Sequence, residues 1–293
     1  MMKFGTLGPA GTFSELALNQ YLIDFNYKKS EIVLFHSIES VFAALKMNKV
    51  DKILVPVENT INGKVETTLD ELLRLNSFCI EFELTTPISH CLLAYSDDVI
   101  TSVSYILSHY QPLRQCQKYL LKYFPNASQV VTKSSALAAE LLSEHQFEQK
   151  KIEVLPYACS AKNTVVVGNK SLASIYNLKI LAKNINDITN NFTRFFVIGD
   201  QHAQITGNDK TSLIFTTSNN AGALYEILGV FADNSINLLS ISSRPSKKKL
   251  GEYLFYVDVN GHKNEDVLNN VLLEVQDKAL FYKLIGSYSL SGV

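Results

Sequence analysis

Over its first 200 residues the chain alternates short apolar runs with apolar residues at helical spacing, and after a polar break that order changes. Phe4–Leu7, Ile32–Phe35, Ile53–Val57, Phe78–Phe82, Ser89–Ala94, Val103–Leu107, Gln129–Thr132 and Thr164–Val167 read as strands. Ile38, Val41, Phe42 and Leu45 share one helical face, and Leu69, Leu72 and Leu73 mark another helix. Thr12 and Glu15 have capping-box spacing, and further helices begin near Pro112, Ser135 and Ser171. The alternation predicts α/β layers with largely parallel sheets. The polar stretch Asp200–Asp209 predicts a boundary between a domain over 1–200 and a second over 208–290. In the second, Thr211–Thr217, Ile236–Ser243, Tyr253–Val259 and Leu280–Ser287 read as strands. Leu224, Ile227, Leu228 and Phe231 mark one helix there, and Val267, Val271 and Val275 the other. The order is βαββαβ, a ferredoxin-like split-βαβ topology, with Lys247–Gly251 turning the central hairpin.

Lys plus Arg is 27 against 28 for Asp plus Glu, so the basic surplus of a nucleic-acid or anionic-membrane binder is missing. No apolar run approaches the roughly 20 residues of a membrane span. Met1–Gly8 lacks the apolar region of a signal peptide, so a cytoplasmic location is expected. Cys79, Cys91, Cys116 and Cys159 form no CxxC pair and read as buried thiols of a reducing compartment. His36, His90, His145, His202 and His262 lack metal-ligand spacing; they read as surface or core residues, and no metal is expected.

Four polar segments interrupt the apolar pattern. Gly8–Thr12 joins a strand to a helix N-terminus, which suits an anion but equally a plain turn. Val55–Thr60 ends a buried strand in Glu58 and Asn59, where open α/β sheets bind ligands or where these two side chains cap a turn. Leu107–Cys116 runs through Ser108 and His109 into a helix with Pro112 in its first turn. Neighbours on one loop rarely face each other and no nucleophile elbow is present, which argues against a Ser-His hydrolase. Asn186–Ile198 passes from an Asn-rich run into an apolar strand, with Thr193 and Arg194 at the junction. They offer a hydroxyl and a guanidinium to a cleft, or else mark a turn before an edge strand.

Together these segments resemble the prephenate dehydratase family. Gly8-Pro9-Ala10-Gly11-Thr12-Phe13-Ser14 is similar to its N-terminal loop, and Pro56–Val65 with Thr67, Asp70, Leu72 and Leu73 to its first long signature. Ser108-His109, Gln111-Pro112 and Gln115-Cys116 resemble its central motif, Ser134-Ser135-Ala136 a Ser-Thr-Ala block, and Asn191-Phe192-Thr193-Arg194-Phe195 its Asn-Tyr-Thr-Arg-Phe signature. Gly222-Ala223-Leu224, Ile236-Asn237-Leu238 and Ser243-Arg244-Pro245 resemble motifs of the ACT domain that usually follows. The chain departs from the family with Thr60 for Ser, Tyr110 for Pro, Phe192 for Tyr and Ser242 for Glu; the last change removes a carboxylate from the regulatory motif.

The resemblance implies a two-lobed, periplasmic-binding-protein-like (type 2) α/β catalytic domain, its cleft between the lobes, followed by a ferredoxin-like ACT domain. It implies a carbon–oxygen lyase that turns prephenate into phenylpyruvate, CO₂ and water without a cofactor. Thr193 then protonates the departing hydroxyl. Arg194, helped by Gly11 and Thr12, holds a carboxylate, and Phe195 helps to exclude water. Glu58, Asn59, Ser108 and Gln115 orient substrate and Thr193. The ACT domain implies a homodimer or homotetramer and phenylalanine as effector. The effector residues are Asn220, Gly222, Ala223, Leu224, Asn237, Leu238, Arg244 and Pro245. The alternatives are an arogenate dehydratase of the same fold, or a non-catalytic amino-acid sensor. The presence of Thr193, Glu58 and Asn59 argues against the sensor.

Overall fold

In the computed structural model, which describes residues 1–143, 159–247 and 251–290, β1 (Met2–Leu7) lies between the parallel strands β2 (Ser30–Phe35) and β3 (Lys52–Asn59). The crossovers are α1 (Phe13–Asp24) and α2 (Ile38–Lys46). Each starts on a hydroxyl that satisfies first-turn N–H groups with no partner inside the helix: Thr12 for α1, and a capping box of Ser37 and Ser40 for α2. A short β4 (Gly63–Lys64) folds back on β3 and leads into α3 (Glu66–Leu73) and β5 (Cys79–Pro87).

The chain then crosses into a second lobe. There β6 (Cys91–Ala94), β7 (Tyr105–Ser108), β8 (Ser128–Val131), β9 (Thr164–Gly168) and β10 (Lys179–Ala182) form a five-stranded sheet in the order β10-β6-β9-β7-β8. Among the described residues its helices are α4 (Tyr110–Gln115), α5 (Gln117–Tyr123), α6 (Ser135–Leu142) and α7 (Ser171–Ile175). Residues 183–191 return to the first lobe, where β11 (Phe192–Gly199) inserts antiparallel between β3 and β5. Both sheets are therefore mixed rather than largely parallel, because the chain enters and leaves lobe 2 through one pair of crossing segments. That pair is stitched by Ile88 N–H to Asn191 O (2.8 Å), Ile185 N–H to His90 O (3.0 Å) and His90 N–H to Asn186 Oδ1 (2.7 Å).

The C-terminal unit is β12 (Asp209–Thr216), α8 (Ala223–Asp233), β13 (Leu238–Pro245), β14 (Tyr253–Asn260), α9 (Asp266–Lys278) and β15 (Phe281–Leu290). The buried stripe of α9 is Leu268, Val271, Leu272 and Val275; Val267, expected on it, is exposed. The expected hairpin turn includes residues 248–250, and His145 lies at another position outside the described residues. The sheet order is β13-β14-β12-β15, and β15 goes on to pair in parallel with β5 through Ser289 and Leu290. Sequence patterning had not foreseen that the two domains share a sheet. Gly286 makes it possible, since a Cβ there would lie 2.6 Å from the Ile80 carbonyl oxygen. One face of the C-terminal sheet is covered by its own helices around Phe215, Ile227, Phe231 and Leu268. The other joins Ile214, Leu254, Tyr256, Ile285 and Tyr288 to Phe42, Leu69, Leu72 and Phe196 of lobe 1 in one core. Each such buried side chain contributes roughly 1.5–3 kcal/mol. Among the described residues no helix is long and apolar enough to cross a membrane.

Candidate active site at the lobe junction

β11 begins where the second crossing segment ends. Thr193 is in register with Asn59 of β3, and Arg194 with Glu58. Successive strand residues point to opposite faces, so Thr193 and Asn59 share one face and Arg194 and Glu58 the other. Asn59 Oδ1 accepts from the backbone N–H groups of Ile61 (3.1 Å) and Asn62 (3.0 Å), which fixes the orientation of its amide. Its Nδ2 therefore faces Thr193 Oγ1 (3.0 Å), Phe192 O (3.0 Å) and Asn191 Oδ1 (2.7 Å). Thr193 is held as an acceptor, and its hydroxyl hydrogen has no protein acceptor among the described residues.

The chain of amides continues across the junction. Asn191 Nδ2 donates to Gln115 Oε1 (3.1 Å), which brings in the last residue of α4 from lobe 2. His90 Nε2 lies 2.9 Å from the same oxygen and, facing an acceptor, donates to it. Burial lowers the His90 pKa from its ordinary value even though the Gln115 bond works the other way. Its Nδ1 is buried without a partner among the described residues, and Phe13 packs edge-on at 5.5 Å.

Of the residues expected in the cleft, Thr193, Asn59 and Gln115 come together. The others do not join them. Arg194, expected to hold a substrate carboxylate, faces away from Thr193 because of the strand alternation. Its Nη1 donates to Asp258 Oδ2 (2.7 Å) and Glu83 Oε2 (3.2 Å), and its Nε lies 3.5 Å from Glu58 Oε2. Glu58 in turn pairs with Lys64 (2.8 Å). Ser108 is fully buried inside lobe 2, donating to Val167 O (2.6 Å) and bonded to Ser135 Oγ (2.9 Å). Gly11 is no open anion cradle, because its N–H goes to the Glu15 carboxylate. Its carbonyl accepts from Asn169 Nδ2 of lobe 2 (2.6 Å), and its φ of +84° together with the closeness of Leu172 leaves no room for a side chain. The Thr12 hydroxyl is spent capping α1 and bonding Leu7 O (2.8 Å). Phe195 sits in the core under α1 with Phe4 and Leu18. Asn191 and His90 belong to the cluster but were missed; Asn191 stands two residues before Thr193, the spacing that puts strand residues on one face.

In the C-terminal unit, Gly222 takes φ +89° at the start of α8, and Ala223 N–H bonds Asn220 O (3.2 Å). Asn220, Gly222 and Asn237 are exposed, with Ala223, Leu224 and Leu238 half-buried beside them. Pro245 is exposed at the end of β13. Arg244, expected at the effector loop, is turned toward lobe 1 instead. It grips α3 through Glu66 Oε2 (3.0 Å) and Asp70 Oδ1 (3.0 Å), because β13 alternates and its even-numbered residues from Ser240 onward face lobe 1.

Fold and site together define a two-lobed α/β domain with a hydroxyl-and-amide cluster at its lobe junction, carrying a βαββαβ module on one sheet edge. The family described as prephenate dehydratase matches residues 4–203, and the ACT domain matches residues 211–276. The chain belongs to the prephenate dehydratase family. It is similar to the prephenate dehydratase of Methanocaldococcus jannaschii (38% identity, covering 96% of this chain and 95% of that one). It is also similar to the bifunctional chorismate mutase/prephenate dehydratase of Aquifex aeolicus (37% identity, 98% of this chain and 73% of that one). Among solved structures it resembles the prephenate dehydratase of Arthrobacter aurescens in complex with L-Phe, with a TM-score of 0.85 at 27% identity over 98% of this chain and 90% of that one.

Proposed function

We propose that this chain converts prephenate into phenylpyruvate, CO₂ and water, a carbon–oxygen lyase reaction of aromatic amino-acid synthesis. The bond between the ring and its carboxylate breaks, its electron pair completes the aromatic ring, and the C4–oxygen bond breaks with its pair going to oxygen. That oxygen leaves as water on receiving a proton. One proton is taken up per turnover, since a dianion becomes a monoanion and neutral CO₂.

The observation that carries this reading is the polarity at Thr193. With Asn59 donating to Oγ1, the hydroxyl hydrogen is directed to another acceptor, which suits a proton donor to a leaving oxygen. Such general acid catalysis is worth ~10²–10⁴-fold. Gln115 reaches the cluster from lobe 2, so closing the lobes completes it and orders the substrate. Phenylalanine acts as effector through the Asn220–Leu224 segment, and the relative solved with L-Phe supports this. The chain forms homo-oligomers through its ACT domain: β13 is an edge strand with Leu239 and Ile241 exposed. The four free thiols suit a reducing cytoplasm.

Thr193→Ala is expected to lower kcat by at least ~10²-fold with a smaller change in KM, because the lost bond strengthens in the transition state. Steady-state assays with prephenate and with arogenate check this. A variant that keeps near wild-type kcat removes Thr193 from the mechanism, and a preference for arogenate reassigns the substrate. An inhibition curve flat up to millimolar phenylalanine removes the effector.

A further inference from the structure

Six charged side chains meet behind the face of β11 that carries Thr193. Arg194, Lys210 and Lys64 supply the cations, and Glu83, Asp258 and Glu58 the carboxylates. Lys210 Nζ bonds both oxygens of Glu83 (2.8 and 3.0 Å), and Arg194 bridges Glu83 and Asp258. Asp258, Glu83 and Lys210 are each under a tenth exposed. Asp258 belongs to the ACT domain and is itself held by Ser212 Oγ (2.6 Å), which is bonded to Tyr288 Oη (2.7 Å). Buried charges persist only when paired. For Arg194 to leave this cluster and take a substrate carboxylate, Asp258 would lose the cation hydrogen-bonded to it.

The backbone at Arg194 explains why the grip matters. Arg194 pairs with Glu58, but the next residue, Phe195, pairs with Pro56, so Val57 is an extra residue in the ladder. Val57 lies in the core shared with the ACT domain. Such a bulge interrupts the ladder and raises the local twist. β11 keeps its register with β5 from Phe192 to Val197, but on the β3 side the ladder breaks directly after Arg194, and there the side-chain tether adds a constraint.

We propose that Arg194 is a positioning residue: gripped by Asp258 of the ACT domain, it sets the twist of β11 and keeps Thr193 within bonding distance of Asn59. The ACT domain thereby acts on the reacting hydroxyl directly through lobe 1, without passing through the cleft or lobe 2. This rests on the dehydratase reading with Thr193 as proton donor.

The test uses the purified full chain and initial rates over a range of prephenate concentrations, with thermal unfolding by circular dichroism to confirm folding. Asp258→Asn should lower kcat by about 2- to 30-fold, the span of such couplings, with KM within about twofold. Asp258→Glu should recover most of that loss. Arg194→Lys should lower kcat similarly, and the double variant should be no worse than the poorer single, as expected for two residues acting as one unit. If Asp258→Asn does not fold, Ser212→Ala, which loosens Asp258, should show a smaller fall in kcat in the same direction. Unchanged kcat in the Asp258 or Ser212 variant overturns the proposal. So does a rise in KM at preserved kcat in Arg194→Lys, which would make Arg194 a substrate anchor. A wild-type chain that does not turn over prephenate sinks the dehydratase reading instead, whereas an active wild type with indifferent variants sinks the positioning role alone.

Discussion

The first lobe meets its two neighbours by different physics. Toward lobe 2 the contacts are mainly polar: two crossing segments, the amide chain from Thr193 to His90, and the Gly11 carbonyl on Asn169, with Leu172 against Gly11 and Phe13 on His90 beside them. Toward the ACT domain they are an apolar core, a continuous sheet and buried charges. Tyr256 Oη donates to Leu69 O (3.1 Å), and Lys283 Nζ donates to Leu73 O (2.8 Å) and Leu75 O. Amide bonds exchange with water at a net difference of only about 0.5–1.5 kcal/mol each. Apolar surface cannot be uncovered so cheaply. Lobe 1 and the ACT domain are therefore expected to unfold together, with lobe 2 joined to them by the weaker junction. The candidate site sits on the polar junction, and the ACT domain is mounted on the apolar one.

The strongest way to break this contrast is at the apolar junction. Phe196 is almost fully buried there and packs edge-on against Tyr288 at 5.6 Å. Phe196→Ala should cost about 3–5 kcal/mol, read from the urea midpoint, with lobe 1 and the ACT domain unfolding in one transition. A separate early ACT transition in the wild type would show the junction to be weak.

A smaller effect on stability and a larger one on rate are expected across the polar junction. Asn191→Ala removes the link between Asn59 and Gln115 and should cost about 1–3 kcal/mol from unpaired buried groups. Its kcat should fall by at least ~10-fold, since a misplaced general acid forfeits much of its contribution. Wild-type kcat with the same stability loss would make the amide chain purely structural.

The smallest effect is acid sensitivity of the junction with the ACT domain. Burial alone would raise the Asp258 pKa, but Arg194, Ser212 and Lys210 hold it below the usual value. Asp209 is likewise lowered by Thr206 and Gly207 against its own burial. A carboxyl with a depressed folded pKa contributes stability above its unfolded value of about 3.9, and loses it as pH falls through the folded value. Urea midpoints should be level from pH 7 to about 5 and decline below about pH 4. Asp258→Asn should soften that decline, and an unaltered acid limb would show that the cluster does not carry it.

Much of this molecule was legible in its residues. Alternating apolar runs located most strands, since burial on both faces needs unbroken Ile, Val and Leu, and Thr12 marked a helix start by its capping spacing. The Thr193–Asn59–Gln115 grouping was readable as motif resemblance. Its geometry was not, because Asn191 and His90 enter through pairings 76 and 25 residues distant in sequence from Gln115. Arg194 was misread because adjacency in sequence means opposite faces in a strand, and Ser108 because its hydroxyl is satisfied by Val167 and Ser135, which neighbour it only in space.

By itself the sequence determined the elements, their order in two domains and the residue types available for chemistry, because these depend on local periodicity and composition. The tertiary structure alone decided which of those residues share a face, that β15 extends the sheet of lobe 1, and that Arg194 answers to Asp258 rather than to the cleft. Those outcomes depend on strand register and on the pairing of buried charges, which arise only once distant segments pack together.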